Sequence, residues 1–515
     1  MKRQRLISKG SLSRLFQEAA EAWRRQDYQA TIALLERASR LDPANASVLL
    51  DLGRAHGLRY EYGSAERCFE KAVKIAPRRM EVLAEAGRRC QAFGHYEMAI
   101  RYFERLTHEK AASPDALVTL AELYERGPRA GEAAALVERA LALAADHSLS
   151  LLARARLKRV GGALEEAEKI TRELVQKPSC EPQIRIRAWY ELGGVLDRQG
   201  RFDEAMGAFL EAKALQRPAA AQAAAILQGI QARVREEEQT ISASVLERWS
   251  VLSPELYPVR RLALLCGHPR SGTTLLEQVL DAHPGIVSAE ETHILHDEAY
   301  LPLSQGFPEA ASVLQVLEAA APSQLRRSRD NYFRFIELFI GKSIGEKILI
   351  DKNPALNVLI PAVVRIFPET KFLVSLRDPR DVCLSCFMQP LPLNPVSSAY
   401  LALEGTVTQY ASVMGFWRTM LLRMRNPYLE VRYEELIDDL PSAARRVLDF
   451  LGAEWDARVL HFDEHARTRQ VRSPSYADVA KPIFKSAIGR WRNYRKYLEP
   501  WQEKLAPFVK AYGYE

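Results

Sequence analysis

One glycine-rich segment, Gly267-His-Pro-Arg-Ser-Gly-Thr-Thr274, could bind an anion. It follows a short apolar run at residues 262–266 and leads into an amphipathic stretch, so we predict a strand, a turn and a helix. Such a turn directs backbone N–H groups and the positive end of the helix dipole at a phosphate. The spacing of its glycines is that of a nucleoside-triphosphate loop, but Thr273 stands where that loop has lysine, and the cation is Arg270. The segment therefore suits a nucleotide ending in a 5′-phosphate or phosphosulfate better than a triphosphate.

Polar residues also follow the other predicted strands, which we place at residues 286–288, 347–350, 372–376 and 428–431. In chain order these polar residues are Glu290 and Glu291, Asp351 to Asn353, Arg377 and Arg380, and Arg432 to Glu435. Ligands of an open parallel sheet bind at the carboxyl ends of its strands, and right-handed crossovers keep those ends on one side. We therefore expect a carboxylate, several cations and a phenol to converge at the phosphate loop.

The first half of the chain is repetitive. Asp42-Pro43 and Ala76-Pro77 close successive units that are 34 residues apart, the period of the tetratricopeptide repeat. Small and aromatic residues recur at the expected packing positions, for example Gly53 with Phe69 and Gly193 with Phe209. We predict about six repeats that form a solenoid over residues 11–235.

The pattern changes near residue 240. Short apolar runs then alternate with helical stretches, which we place at residues 274–282, 357–367, 381–389 and 399–424. Strands alternating with helices are typical of an α/β domain with a central parallel sheet. The fold class we predict is multidomain, with an all-α solenoid at 11–235 and an α/β domain at 240–515.

The loop Pro269-Arg270-Ser271-Gly272-Thr273-Thr274-Leu275 resembles the 5′-phosphosulfate loop of sulfotransferases. Its arginine form is similar to that of the tyrosylprotein sulfotransferases. The order of repeats followed by this loop resembles bacterial repeat-containing sulfotransferases over nearly the whole chain. The resemblance implies a P-loop-like sulfotransferase domain that moves a sulfuryl group from 3′-phosphoadenosine 5′-phosphosulfate (PAPS) to a hydroxyl acceptor by in-line displacement, with no metal required.

Catalytic roles follow from the same resemblance. Glu291 lies 21 residues past Arg270, the offset and context of the catalytic glutamate in the tyrosylprotein enzymes, so it is the candidate general base. Glu290 and His293 are rival bases, and Glu291 could instead be a solvated carboxylate. Arg270 and Lys352 are the candidates to hold the sulfuryl group and neutralise the leaving oxygen. A simple surface lysine is the alternative for Lys352.

The resemblance also assigns nucleotide contacts beyond the loop. Arg377 and Ser385 match the pair that binds the 3′-phosphate, for which a guanidinium fork is well suited. Tyr433 matches a tyrosine that closes over the nucleotide, and Lys481 lies in a basic tail that resembles the segment wrapping it. Arg380 fits a structural ion pair better than a phosphate contact.

The acceptor is left open by the sequence. A protein tyrosine, a glycan and a metabolite all fit, and a histidine at 293, where the tyrosylprotein family has arginine, argues against an acidic peptide. The repeats could present a protein acceptor, pack on their neighbour or form a homodimer. Two other functions remain open: a nucleotide kinase or NTPase, because residues 348–351 look like a magnesium-binding strand ending in Asp351, and a repeat scaffold on a nucleotide-binding pseudoenzyme.

Composition excludes several classes. The net charge is +7 and 27% of the residues are charged, but the basic residues of interest gather around one small-anion site, so we expect no nucleic-acid partner. Six scattered cysteines fit reduced core thiols, and Cys383 and Cys386 lack a second pair for a metal. With no signal-peptide pattern and no apolar stretch of membrane-spanning length, we expect a cytoplasmic protein.

Overall fold

A computed structural model describes residues 2–108, 112–250, 256–308, 310–467, 483 and 485–514, and the side chains from residue 11 onward. The chain divides into two compact units, Met1–Ala153 and Arg154–Glu515. This division falls inside a helix, well before residue 235, where the predicted solenoid ends. The boundary at residue 235 therefore stays a prediction. No helix in the described ranges combines the length and the apolar character needed to cross a membrane.

The first unit is built of antiparallel helix pairs. Its helices are α1 (Lys2–Arg24), α2 (Tyr28–Leu41), α3 (Ala46–Leu58), α4 (Tyr62–Ile75), α5 (Arg79–Ala92), α6 (Tyr96–His108), α7 (Pro114–Tyr124), α8 (Ala133–Leu143) and α9 (Ser148–Val160), which ends in the second unit. Small residues let the paired helices approach. A Cβ on Gly87, for instance, would lie 2.7 Å from the Phe103 ring. The predicted pairing of glycine with phenylalanine is thereby confirmed as a packing contact between the helices of one repeat.

Among the described residues, five helices begin in the second unit before the sheet. These are α10 (Leu164–Gln176), α11 (Pro182–Arg198), α12 (Phe202–Gln216), α13 (Ala221–Thr240) and α14 (Ala243–Trp249). Gly193 of α11 packs on Phe209 of α12, where an added Cβ would lie 2.6 Å from the ring. The repeat pattern of the sequence thus continues into the unit that contains the sheet.

A five-stranded, fully parallel sheet forms the centre of this unit. Its strands are β1 (Leu262–Gly267), β2 (Ile286–Glu290), β3 (Ile348–Lys352), β4 (Lys371–Leu376) and β5 (Tyr428–Arg432), in the order β2-β3-β1-β4-β5. Leu264 pairs with Asp351 on one side and with Phe372 on the other, so β1 is central. Strands β1 to β4 are buried almost throughout, as expected for a sheet covered on both faces, whereas the edge strand β5 is only partly buried. The predicted α/β domain and its parallel sheet are therefore confirmed.

Helices cover both faces of the sheet. They are α15 (Thr273–Asp281), α16 (Val313–Ala319), α17 (Pro322–Ile340), α18 (Ile360–Ile366), α19 (Pro379–Met388), α20 (Pro395–Ser398), α21 (Leu403–Leu421), α22 (Tyr433–Asp438), α23 (Leu440–Leu451), α24 (Phe462–Arg467), α25 (Arg495–Leu498) and α26 (Gln502–Ala511). The single helix predicted over 399–424 is wrong at its start. Ala402 is extended, with φ −142° and ψ 148°, and separates a short 3₁₀ turn at Ala399–Leu401 from α21.

The last repeat pair packs on the α/β domain through α19. Tyr190 of α11 and Phe209 of α12 share one apolar cluster with Phe387 of α19 and Trp491. Buried in this contact, the Lys213 amine lies 5.0 Å from the Phe387 ring centroid. Helices α11 and α12 thus share a hydrophobic cluster with α19 of the α/β domain.

Two aspartates of the same pair bind the segment after residue 489. Asp197 accepts hydrogen bonds from Arg490 Nε and from the Tyr494 hydroxyl, at 3.3 and 2.7 Å. Asp203 accepts from Lys496 Nζ at 2.7 Å and from the Tyr497 hydroxyl at 3.1 Å. We call this set of contacts the tail clamp.

Candidate active site

The phosphate loop connects β1 to α15 as predicted. Ser271 Oγ donates to the His268 carbonyl at 2.7 Å, and Ser375 Oγ of β4 donates to the Ser271 carbonyl at 2.7 Å. These bonds fix the loop against the neighbouring strand. Gly272 precedes α15 with φ +96° and has no side chain with which to cap the helix. The loop has the form of an anion cradle at a helix N-terminus.

The Arg270 side chain extends from the loop to α19. Its Nε donates to Ser385 Oγ at 3.0 Å, and its backbone has φ +71°. Four non-glycine residues have a positive φ among the described residues, and Arg270 and Glu291 are two of them. Left-handed backbone costs a non-glycine residue about 1–2 kcal/mol, and such residues are concentrated at functional sites.

Arg377 follows β4 and is buried beside the loop. Its two Nη atoms donate to the Arg270 carbonyl at 3.2 Å and to the Ala487 carbonyl at 2.5 Å. Its Nε is buried and has no hydrogen-bond partner among the described residues. An arginine N–H left in this state is suited to a ligand anion, because a buried donor without an acceptor is costly.

Tyr433 closes the other side of the loop. Its ring centroid lies 5.0 Å from Arg377 Cζ, and a Cβ on Gly272 would come within 2.6 Å of Tyr433 Cδ2. Only glycine therefore leaves the ring in place. The remaining predicted loop residues are Pro269, which is partly exposed, and Thr273, Thr274 and Leu275, which are buried at the start of α15.

Lys352 and Glu291 form an ion pair at the carboxyl ends of β2 and β3. Lys352 Nζ lies 2.7 Å from Glu291 Oε1, and the Glu291 N–H donates to the Lys352 carbonyl at 2.7 Å. The Lys352 side chain is fully buried, whereas 35% of the Glu291 side chain is exposed. The alternative of a surface lysine is wrong, and Glu291 is the member of the pair that solvent or an acceptor can reach.

The rival bases are placed differently. Glu290 is buried within β2, and its backbone is in register with Lys352. His293 is exposed just beyond Glu291. The alternative magnesium ligand, Asp351, is 1% exposed and accepts a hydrogen bond from the Tyr332 hydroxyl at 2.8 Å. Burial also raises the pKa of Asp351 to about 7, and its Oδ1 is buried without a hydrogen-bond partner among the described residues.

Two carboxylates near the site were missed by the sequence reasoning. Glu277 of α15 is fully buried and lies 3.2 Å from Lys352 Nζ through Oε2. Asp381 of α19 accepts the N–H groups of Gly489 and Trp491 at 2.7 Å each. In the sequence both residues look like ordinary polar positions of amphipathic helices, so no local signal distinguishes them.

Other predicted residues have more limited outcomes. Arg380 forms a bidentate ion pair with Asp378 at 2.9 and 2.7 Å, which confirms the structural role predicted for it. Lys481 lies outside the described residues. Within the described ranges, no group of three or more His, Cys, Asp or Glu side chains is placed to hold a metal ion.

Comparison with known proteins identifies two kinds of region in the chain. Residues 263–457 match a family model described as sulfotransferase family, and residues 85–148 and 185–224 match the tetratricopeptide repeat. The chain therefore contains tetratricopeptide repeats followed by a region that matches the sulfotransferase family.

Two relatives and one solved structure illustrate the range of similarity. Protein-tyrosine sulfotransferase 1 of Danio rerio is 26% identical over 45% of this chain and 65% of its own length. Nodulation protein NoeE of Sinorhizobium fredii is 27% identical over 47% of this chain and 62% of its own length. The chain thus spans less than two thirds of both relatives. The sulfotransferase domain of the Synechococcus PCC 7002 olefin synthase aligns at 23% identity and a TM-score of 0.32, over 46% of this chain and 89% of that one.

Proposed function

We propose that the chain is a PAPS-dependent sulfotransferase that acts on a hydroxyl acceptor, with Glu291 as general base. The observation that carries the proposal is the Lys352–Glu291 ion pair at 2.7 Å, in the domain whose phosphate loop holds Arg270. The family comparison supports sulfuryl transfer, and the donor, the base and the acceptor class belong to the proposal.

The residues present fit PAPS as donor. The N-terminus of α15 would receive the 5′-phosphosulfate. The buried Arg377 Nε, which has no hydrogen-bond partner among the described residues, would bind the 3′-phosphate together with Ser385. Tyr433, which packs on Gly272 and Arg377, would contact the bound nucleotide. When bound, PAPS supplies the sulfuryl group, whose sulfur joins the acceptor oxygen as its bond to the bridging phosphate oxygen breaks.

The side chains of the site divide the remaining work. Glu291 takes the proton of the acceptor hydroxyl, a contribution typically worth ~10²–10⁴-fold. Arg270 and Lys352 stabilise the charge that develops on the bridging oxygen, and loss of one such donor would raise the barrier by about 2.7–4 kcal/mol. Because Lys352 is fully buried, its charge acts in a water-poor setting where it is most effective.

Two findings bear on the class of the hydroxyl acceptor. A relative is named a protein-tyrosine sulfotransferase, which supports a tyrosine hydroxyl, and the repeats support a protein partner. His293 lies exposed beside Glu291, where the tyrosylprotein family has arginine, so we do not propose an acidic peptide. The acceptor is proposed only as a hydroxyl that can reach the exposed face of Glu291.

Calorimetric titration with adenosine 3′,5′-bisphosphate tests the donor. We expect micromolar binding that is unchanged by Mg²⁺ and that Arg377→Ala weakens by about 1.5–3 kcal/mol. Arg458→Ala is a control for the loss of one positive charge, since Arg458 is an exposed arginine paired with Asp456. No binding of the bisphosphate, together with tight Mg²⁺-dependent ATP binding, would replace this proposal with a kinase.

Transfer of radiolabelled sulfate from PAPS to phenol, tyrosine peptides and glycans tests the base. Glu291→Gln should bind the bisphosphate as the parent protein does and lose at least about 100-fold in transfer. Retained transfer in that variant would move the role of base to Glu290 or His293.

A further inference from the structure

The Lys352 ammonium lies between two carboxylates of different exposure. On one side is Glu291 at 2.7 Å, with 35% of its side chain exposed. On the other is Glu277 at 3.2 Å, whose side chain is fully buried. Only Glu291 can therefore contact an acceptor, because Glu277 is closed off from solvent.

Glu277 is held in place by a second element. Its Oε1 accepts a hydrogen bond from Ser288 Oγ of β2 at 2.7 Å. Its Oε2 has no hydrogen-bond partner among the described residues and faces Lys352 as an ion pair. Leu276 and Val279, its neighbours on α15, belong to the apolar core. A carboxylate in such surroundings is expensive to bury, so its retention calls for an explanation.

We propose that Glu277 is a positioning residue for the sulfuryl transfer, a sealed counter-ion that keeps Lys352 charged and in place while Glu291 changes its protonation state. The inference rests on the proposed function. Once Glu291 has taken the acceptor proton it is neutral, and its attraction for Lys352 falls. Glu277 then remains as the negative partner of the buried ammonium, so Lys352 is still held at the site where the bridging oxygen develops charge.

The charges around Glu277 make its protonation sensitive to the site. Lys352 faces it from β3, and Glu290 and Glu291 face it from the end of β2. Burial raises the pKa of Glu277 above its ordinary value, with Lys352 opposing that rise and the two glutamates adding to it. A group with a raised carboxyl pKa binds more protons in the folded protein, so its contribution to stability is present at low pH and is lost as pH rises.

The test compares Glu277→Gln with Glu369→Gln in the full chain. Glutamine keeps the shape and an acceptor for Ser288 but removes the charge. Glu369 is the matched control, because it is also buried and paired, with Arg329 at 2.5 Å, but plays no part in the site. We expect Glu277→Gln to lower kcat at least about 10-fold and to change the acceptor KM and the affinity for adenosine 3′,5′-bisphosphate less than about threefold. In the dependence of kcat on pH, we expect the acid limb to be displaced.

Two further measurements separate this inference from a merely structural role. The fall of Tm between about pH 5 and pH 8 should be shallower in Glu277→Gln than in the parent protein, a readout that needs no substrate. Ser288→Ala, which removes the hydrogen bond to Glu277 without touching its charge, should change kcat in the same direction by a smaller factor. An unchanged kcat and kcat profile in Glu277→Gln, or a loss of bisphosphate affinity as large as the loss of kcat, would overturn the inference. If the parent protein neither binds the bisphosphate nor transfers sulfate, the proposed function fails and this inference with it, whereas normal parent activity with an unaffected variant refutes the inference alone.

Discussion

Replacing Gly272 by alanine should damage the phosphate loop in two separable ways. The residue has φ +96°, where an alanine pays about 1–2 kcal/mol, and the added methyl would lie 2.6 Å from Tyr433 Cδ2. Carbon atoms in contact normally lie about 3.5–4.0 Å apart, so the ring must move by roughly 1 Å. Overpacking of this kind typically costs 1–3 kcal/mol, which gives about 2–5 kcal/mol in total. Since the displaced ring packs on Arg377, affinity for adenosine 3′,5′-bisphosphate should fall as well.

The chain offers a control for the backbone part alone. Gly341 ends α17 with φ +75° and has no atom within 4 Å of an added Cβ, so Gly341→Ala should cost only the backbone part, about 1–2 kcal/mol. A double-mutant cycle with Tyr433→Ala isolates the energy of the contact between residue 272 and the Tyr433 ring. If the chain unfolds in more than one transition, the one that adenosine 3′,5′-bisphosphate shifts belongs to the unit that contains the loop. We expect a coupling of about 1–3 kcal/mol between the two substitutions. Equal costs at Gly272 and Gly341, with no coupling to Tyr433, would refute the contact.

Two other substitutions probe the packing of the second unit. Burial lowers the pKa of the Lys213 amine from 10.5 to about 7, so between these pH values the unfolded chain binds more protons than the folded chain and stability rises with pH. Denaturant unfolding should therefore show Lys213→Met to be more stable than the parent by about 2 kcal/mol or more near pH 6.5, with a smaller gain toward pH 10. A gain that does not depend on pH would contradict this explanation. Asp381→Ala leaves the N–H groups of Gly489 and Trp491 without their acceptor, so we expect the free energy of unfolding to fall by about 2–4 kcal/mol and hydrogen exchange at these two amides to become faster. Unchanged exchange would show that another group replaces the carboxylate.

The sheet could be predicted from the sequence because its strands are continuous apolar runs that end in polar residues. The strand predicted at 372–376 occurs as Lys371–Leu376, and the one at 286–288 extends to Glu290. The prediction that polar residues meet at the carboxyl edge needed only the parallel arrangement. This was enough to bring Glu291 and Lys352 together on neighbouring strands.

What could not be predicted depends on contacts between distant elements. Glu277 read as a polar residue of an amphipathic helix, and its burial against Lys352 follows only from how α15 packs on the sheet. The start of α21 was missed because Ala402, an ordinary helix former, is extended there. Local propensity is overridden in both places by tertiary packing.

The tail clamp changes where this molecule can be cut and recombined. Asp197 and Asp203 belong to the last repeat by their sequence pattern, yet they hold Arg490 and Lys496, which are nearly 300 residues away along the chain. An exchange of repeats between related chains at residue 235 would leave these tail residues facing foreign partners. The piece that can be inherited or grafted as a unit therefore starts before α11, so a catalytic domain of this kind would carry its final repeat with it.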